Sequence, residues 1–328
     1  MLIYVFRRVI YMVVTLFLVS VISFIIIQLP PGDFVTSYIA QLAATGQLAD
    51  ESEVAALRAR YGLGEPIYVQ YARWMGGILQ GDLGRSLSWN KPVMTLIKDR
   101  LPWSFSISLL SFAFVWAVGL PIGVYSATHQ YSAPDYIATF LGFVGLGIPN
   151  FLLALVALWL YFRNTGQAIV GLFSPQYIMA PWSLAKLGDL LRHLWIPALI
   201  TGTAGTAGLI RTMRANLLDE LRKPYVMTGR AKGLPERRLL FKYPFRVAMI
   251  PAVSTIGWVL PGLFAGELLV SFVLGIPTLA PIFLGALLNQ DMFLAGSVVL
   301  ILSALTVVGT LISDLLLAWV DPRIRESV

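Results

Sequence analysis

The chain has 328 residues, of which 57% are hydrophobic and only 12% are charged. Soluble domains carry about 25% charged residues, so this composition excludes a soluble globular protein and indicates an all-α polytopic membrane protein. No cysteine is present, which excludes disulfides, thiolate metal sites and cysteine nucleophiles.

The formal net charge of +7 and the pI near 9.7 come from one part of the chain. Residues 211–246 contain ten Lys or Arg and three Asp or Glu, an excess equal to the net charge of the whole sequence. Because apolar stretches flank this segment, its charge indicates a loop retained in the cytoplasm rather than a surface that binds nucleic acid. Anionic headgroups of membrane lipid are expected to share this charge.

Six apolar runs predict six transmembrane helices, at about 9–29, 103–127, 137–162, 194–210, 247–275 and 293–320. Arg7 and Arg8 hold the N-terminus in the cytoplasm, and an even number of spans returns the C-terminus to the same side. The first run has 21 residues and no small-residue cleavage site follows it, so it is predicted to stay as an anchor.

The chain is predicted to have two parts. Residues 1–102 form an N-terminal transmembrane anchor and a small external cap, in which Asp50 and Glu53 are a capping pair for a helix. Residues 103–328 form a five-helix membrane core that contains the basic loop. An extra span through 164–185 is rejected, because it would place the basic loop outside and because its glycines and prolines disfavour a continuous helix.

Prolines interrupt several predicted spans, at Pro121, Pro149, Pro251 and Pro261, often with glycine nearby. Tight packing is one interpretation, because small residues four apart let helix backbones approach. The other is that kinked helices line a moving pathway, and the two are compatible.

Two acidic residues fall inside predicted spans, Glu267 in the fifth and Asp314 in the sixth. A carboxylate that faced lipid would cost several kcal/mol, so both are expected to face protein or a water-filled pathway. Hydrogen bonding between helices or to a partner subunit, gating or solute contact, and proton coupling remain alternatives. Two interpretations are also open for Asn150, beside Pro149: a packing contact or a role in the pathway.

Within the basic loop, residues 225–234 (YVMTGRAKGL) are typical of a short helix that ends at Gly233, with Pro235 preventing its continuation. A short helix held at the cytoplasmic face of a membrane gives another protein a surface on which to push.

These and other segments, in this order, resemble type I ABC importer permeases of the branch that imports di- and oligopeptides, nickel and related solutes. The resemblance covers nearly the whole chain. Its motifs are LPPGD at 29–33, GLGEPIYVQYARWMGGILQGDLGRSL at 62–87, Leu101-Pro102, the helix at 225–234, Gly266-Glu267, GIPTLAPIFLGALLNQD at 275–291 and DPRIR at 321–325. One departure is Met227-Thr228-Gly229, which stands where many permeases have Glu-Ala-Ala, and a helical glycine costs about 0.5–1 kcal/mol relative to alanine.

The resemblance implies a subunit that forms half of a translocation pathway in a bacterial or archaeal plasma (inner) membrane, completed by a second homologous permease subunit. Two ABC ATPase subunits would dock on a coupling helix in loop 211–246, and an extracytoplasmic solute-binding protein would deliver the solute for ATP-driven alternating access. The residues implied in ATPase docking are Tyr225, Thr228, Gly229, Arg230, Ala231, Lys232, Gly233 and Leu234.

The chain itself is not expected to be an enzyme or to bind a cofactor. No lysine is followed by Ser or Thr, so the phosphate-binding P-loop is absent, and ATP and Mg would be bound by the partner ATPase subunits. His129 and His193 lie far apart with no acidic cluster, which favours neither a metal site nor a Ser–His hydrolase.

Two alternatives to a peptide permease remain. A gradient-driven secondary transporter or channel would need a coupling site, for which Glu267 and Asp314 are the available intramembrane acids. An ABC permease for oligosaccharides or nickel chelates is the other, because the external binding protein usually sets selectivity in this family.

The topology predicts the outcome of a labelling experiment. A cysteine introduced at Lys223 or Arg237 should react with a membrane-impermeant maleimide only after cells are permeabilised, because both positions lie in the predicted cytoplasmic loop. The native chain lacks cysteine, so it gives no background. Labelling of either position in intact cells would contradict the predicted sidedness.

Overall fold

The computed structural model describes residues 2–28, 34–44, 50–62 and 64–320. Within these ranges the regular elements are α-helices, and extended backbone pairs only in an isolated bridge between Arg85 and Pro92. The predicted all-α class is therefore confirmed. The motifs LPPGD at 29–33 and DPRIR at 321–325, and the side chain of Glu53, lie outside what the structure describes.

The helices are α1 (Leu2–Gln28), α2 (Phe34–Ala44), α3 (Glu51–Tyr61), α4 (Ile67–Leu79), α5 (Val93–Thr128), α6 (Ala133–Gly147), α7 (Asn150–Thr165), α8 (Pro175–Ile178), α9 (Leu184–Leu221), α10 (Pro224–Ala231), α11 (Glu236–Lys242), α12 (Pro244–Ser254), α13 (Ile256–Val273), α14 (Leu279–Leu288) and α15 (Met292–Val320). Asp50 caps α3 as predicted, accepting a hydrogen bond from the Ser52 amide. The segment 164–185, rejected as a span, holds only the four-residue α8 between the end of α7 and the start of α9.

The described residues contain three helices that are long and apolar enough to cross a membrane, within α1, α5 and α15. Helices α6 and α7 meet the same condition only together, and they are bent by 104° at a short break. They count as a fourth span if the bent pair is one crossing. Six spans were predicted, so the remaining two crossings stay a prediction.

The predicted span at 137–162 is wrong as a single helix, because α6 ends before Ile148 and α7 starts at Asn150. Ile148 and Pro149 both have extended backbone, with ψ of 124° and 138°. Proline lacks an amide hydrogen and disfavours helical geometry in the residue before it. The chain therefore turns sharply at this dipeptide.

Helix α9 is much longer than the predicted span at 194–210. It has 38 residues, with Pro197 inside it, and Ser183 caps its start by accepting a hydrogen bond from the Lys186 amide. At the other end it continues through Leu221 into the basic loop. The first third of that loop is thus an extension of a core helix.

One compact unit is built around Ser104–Pro277, and α9 packs there against α6, α7, α12 and α13. Glycines bring α5 and α9 together: a Cβ added to Gly119 would lie 3.2 Å from the carbonyl oxygen of Thr206, and one on Gly123 would lie 3.1 Å from that of Ile210. These glycines flank Pro121, and their contacts support the tight-packing interpretation.

The other compact unit consists of Val9–Trp103 and Thr278–Leu305. In it α1 packs against α4, with the rings of Phe24 and Trp74 centred 5.5 Å apart and the Ser20 and Tyr71 hydroxyl groups 2.8 Å apart. The apolar core of this unit is formed mainly by the N-terminal part of α5 with α14 and α15.

A buried carboxylate fastens the segment before α5 to the start of α15. Asp291 is fully buried, and its Oδ2 accepts hydrogen bonds from the Ser86 hydroxyl at 2.5 Å, the Ser88 hydroxyl at 2.7 Å and the Ser88 amide at 3.0 Å. Its Oδ1 accepts from the Leu294 amide at 3.2 Å. One side chain therefore caps α15 and orders the GDLGRS turn that the sequence singled out.

Replacing Asp291 with Ala should strongly destabilise this unit, because four donors would lose a charged acceptor inside the protein. Hydrogen bonds to charged groups contribute roughly 1.5–3 kcal/mol each, so we expect a loss of at least about 2 kcal/mol. Thermal unfolding of the detergent-solubilised protein measures the change. The exposed Asp99 provides a matched control: equal effects of Asp291→Ala and Asp99→Ala would contradict the assignment.

Candidate functional site

The predicted short helix in the basic loop is present as α10. Lys223 has extended backbone, with ψ of 147°, and Pro224 begins the helix, a position where the missing proline amide costs nothing. Gly233 follows the helix in the left-handed conformation, with φ of +74°. The Leu234 amide then donates to the carbonyl of Gly229 at 3.2 Å, so a glycine ends the helix as the sequence predicted.

The buried face of α10 packs against α11. Val226 is fully buried, Gly229 is buried, and the Leu239 side chain on α11 is 1% exposed. A Cβ added to Gly229 would lie 2.5 Å from the Leu239 Cδ1 atom. A larger residue at 229 would force the Leu239 side chain to move, so glycine suits this close packing despite its unfavourable helix propensity.

The opposite face of α10 is open. Six of the eight residues implied in docking are exposed, Leu234 is half-buried and Gly229 is buried. The exposed six are Tyr225, Thr228, Arg230, Ala231, Lys232 and Gly233. Gly229 thus faces Leu239 inside the loop and not the exposed side of α10.

Met227 was not among the residues predicted for docking, yet its side chain is 65% exposed on α10. The spacing of Val226 and Gly229, three residues apart, marks the buried face of the helix, and it puts Met227 on the other side. Met is an adaptable apolar side chain that is frequent at protein-binding surfaces. The spacing of Val226 and Gly229 could therefore have identified Met227 as an exposed residue from the sequence.

An ion pair ties α10 to α11. The Arg230 guanidinium donates two hydrogen bonds to the Glu236 carboxylate, at 2.6 and 3.2 Å, and this pairing raises the pKa of Arg230 above its usual value. Lys232, in contrast, has no carboxylate partner among the residues that the structure describes. At this end of α10 an unpaired positive charge is therefore left at Lys232, the residue that follows the helix.

Tyr225 ties α10 to the end of α9. Its hydroxyl donates to the carboxylate of Glu220, and burial together with this hydrogen bond raises the pKa of Tyr225. The ring remains 40% exposed. Contacts to both α9 and α11 thus hold the orientation of a helix of only eight residues.

The structure places two of the three polar residues predicted in the spans against α13 or within it. A Cβ on Gly266 would lie 3.1 Å from the Asn150 amide nitrogen, so Asn150 adjoins the residue next to Glu267. Glu267 is 1% exposed and accepts hydrogen bonds from the hydroxyl groups of Ser104, at 3.0 Å, and Ser271, at 3.3 Å. These contacts support interhelical hydrogen bonding for Glu267.

Asp314 has a different environment. Its carboxylate lies 3.1 Å from the Arg8 guanidinium, and both belong to the unit built around Ser104–Pro277. An ion pair satisfies an acid that would otherwise be costly in a membrane. The contact supports a structural role for Asp314.

The two histidines lie in unrelated surroundings. The His129 ring stacks on Tyr125, with centroids 4.5 Å apart, and His193 is buried with its Nδ1 2.8 Å from the Asp189 carbonyl oxygen. Across the described parts of the chain, no group of three or more His, Asp or Glu side chains is placed to hold a metal ion.

The packing at Gly229 predicts whether an alanine at this position stabilises or destabilises α10. Helix propensity alone would make Gly229→Ala stabilising by about 0.5–1 kcal/mol, but the added methyl group overlaps Leu239, and overpacking typically costs about 1–3 kcal/mol. We expect Gly229→Ala to destabilise α10, measured as faster hydrogen exchange of its amides. In a Leu239→Ala background the same substitution should slow exchange.

Gly208→Ala in α9 is the matched control, because a Cβ there would meet nothing within 4 Å. It should leave exchange in its own helix unchanged or slower. Slower exchange of α10 in the single Gly229→Ala variant would show that the Leu239 contact does not restrict this position.

Known proteins match this chain over nearly its whole length. Residues 119–326 match the family model for the binding-protein-dependent transport system inner membrane component, and residues 1–108 match that for its N-terminal region. The oligopeptide transport system permease protein AppB of Bacillus subtilis is 35% identical over 98% of this chain and 99% of its own length.

Two further relatives are each 29% identical over 99% of this chain and the whole of their own length. They are the dipeptide transport system permease protein DppB of Alkalihalophilus pseudofirmus and the oligopeptide transport system permease protein OppB of Haemophilus influenzae. The chain therefore belongs to the family of binding-protein-dependent transport system inner membrane components, the permeases of ABC importers, as its motifs predicted.

Proposed function

We propose that this chain is the transmembrane subunit of an ATP-driven peptide importer and forms half of the translocation pathway with a second homologous permease. Family membership supports the importer class. Peptide cargo is supported by relatives that are named for oligopeptide and dipeptide transport and that align over nearly the whole chain. An extracytoplasmic binding protein would deliver the peptide.

The proposed topology has six crossings, with both termini and the 211–246 loop in the cytoplasm. Helices α1, α5 and α15 and the bent pair α6–α7 supply four, and α9 and the pair α12–α13 supply the others. The excess of basic residues in the loop after α9 supports this orientation.

The observation that carries the proposal is the geometry of α10. Its buried face holds Val226 and Gly229, of which Gly229 lies against Leu239 of α11, while Tyr225, Met227 and Lys232 are exposed. Aromatic and methionine side chains are favoured at protein interfaces, and the lysine can complement an acidic groove. Since the sequence has no P-loop, two separate ATPase subunits would bind ATP and Mg and dock on this face.

The same contacts suggest how force passes into the membrane. Tyr225 links α10 to Glu220 at the end of α9, and α9 continues without a break into the packed core. When ATP closes the ATPase pair, the coupling helices of the two permeases would move together and carry the attached helices, so that the pathway opens outward. Hydrolysis and release would return it inward.

Docking on α10 is tested by co-purification of the ATPase subunits with the complete transporter. Met227→Asp removes an exposed apolar contact and Lys232→Glu reverses the free charge, so each should lower the recovered ATPase at least tenfold. Arg237→Glu, an equal charge reversal at an exposed position on α11, is the control and should retain the ATPase.

Full retention of the ATPase by both α10 variants would overturn the assignment of the docking surface. The cargo is tested separately by uptake of labelled oligopeptides into proteoliposomes in the presence of the binding protein. Uptake of an oligosaccharide or a nickel chelate, with no uptake of peptide, would exclude peptide as the solute.

A further inference from the structure

A groove of about 230 Å³ lies between α6 and α9. Two contacts fix how the helices align: a Cβ on Gly142 would lie 3.6 Å from the Ala207 Cβ, and Asp135 binds Arg214 at 2.9 Å. Residue numbers rise along one helix as they fall along the other, so the two helices are antiparallel. The small residues at 142 and 207 leave a furrow along the line where they meet.

The walls of this groove are largely apolar. Phe143 is 64% exposed and Leu146 is 46% exposed, and both line the groove together with Gly142 and Ala207. Exposed aromatic and aliphatic side chains on a helix that enters the membrane are suited to contact with hydrocarbon chains.

One end of the groove is basic. Arg211 and Arg214 lie about one turn apart on α9 and both line it. Arg214 donates through Nε and Nη2 to the two oxygens of the buried Asp135, each at 2.9 Å, so its charge is balanced within the protein. Three of its five N–H donors are not engaged by Asp135.

Arg211 is different, because it is exposed and has no carboxylate partner within the described parts of the chain. The basic end therefore carries one unbalanced positive charge beside the donors of Arg214. A phosphodiester has one negative charge and oxygens that accept several hydrogen bonds, so it would balance Arg211 and use the remaining donors.

We propose that this groove is a binding site for one anionic phospholipid, with the phosphate on Arg211 and Arg214 and an acyl chain along Phe143 and Leu146. Basic pockets between transmembrane helices on the cytoplasmic side are suited to such headgroups. Free phosphate would leave the apolar walls uncovered. The proposal rests on the proposed function in one respect: it assumes that α9 passes from the membrane into the cytoplasmic loop.

The test is native mass spectrometry of the complete transporter in detergent, titrated with dioleoyl phosphatidylglycerol or dioleoyl phosphatidylcholine. The wild type should retain one phosphatidylglycerol per copy of this chain and should bind phosphatidylcholine at least fivefold more weakly. Arg211→Gln should weaken phosphatidylglycerol binding at least fivefold. Arg222→Gln removes the same charge at the end of α9, away from the groove, and should bind as the wild type does.

Equal weakening by Arg211→Gln and Arg222→Gln would show diffuse attraction to the basic loop and would overturn the proposal. Equal binding of the two lipids would do the same. The ATPase content of each preparation is recorded, so loss of lipid with normal ATPase separates this site from docking on α10.

A second arm asks whether protein covers the groove instead. Thr139 lines the groove and is exposed, and Thr139→Cys gives a single reactive site in a chain without native cysteine. Reaction with a maleimide-bearing lipid in the assembled transporter supports the proposal. Quantitative cross-linking of this position to the second permease would overturn it.

Discussion

The packing of α9 is the constraint on which the core and the cytoplasmic loop both depend. In the proposed topology α9 crosses the membrane, where its backbone groups have no water to bond to, so its hydrogen bonds must be satisfied within the helix. Glycines on α5 let the two backbones approach at Thr206 and Ile210, and the same helix continues beyond the core to Leu221. Displacement of the end of α9 at Leu221 is therefore not absorbed by a flexible linker before it reaches the packed region.

The basic loop shows how packing can outweigh local propensity. A glycine inside a short helix weakens that helix in isolation, and Gly229 stands where many permeases have alanine. In the structure this glycine is what allows α10 to lie on Leu239. Interactions with Glu220 and Glu236 add contacts at both ends of the helix, so a small element is held without a favourable propensity.

Acidic side chains on the helices illustrate the cost of polar groups in a membrane protein. Glu267 accepts hydrogen bonds from two serines and Asp314 pairs with Arg8, while Asp135 is balanced by Arg214. These pairings leave Arg211, beside the groove between α6 and α9, with no carboxylate partner among the described residues. The proposed lipid site follows from the unbalanced charge of Arg211. The proposed docking surface follows from the exposed side chains of α10 in the basic loop.

Composition and hydrophobic runs by themselves determined the helical membrane class, the basic loop and the short helix ending at Gly233, because these features depend on local sequence. They did not determine the break at Ile148-Pro149, since several spans contain prolines and Pro197 is accommodated within α9. The sequence also could not show that Gly229 is buried, that Arg230 is paired with Glu236 or that Asp314 meets Arg8. Those outcomes depend on contacts between side chains from different segments of the chain. Only the tertiary structure decided which segments meet.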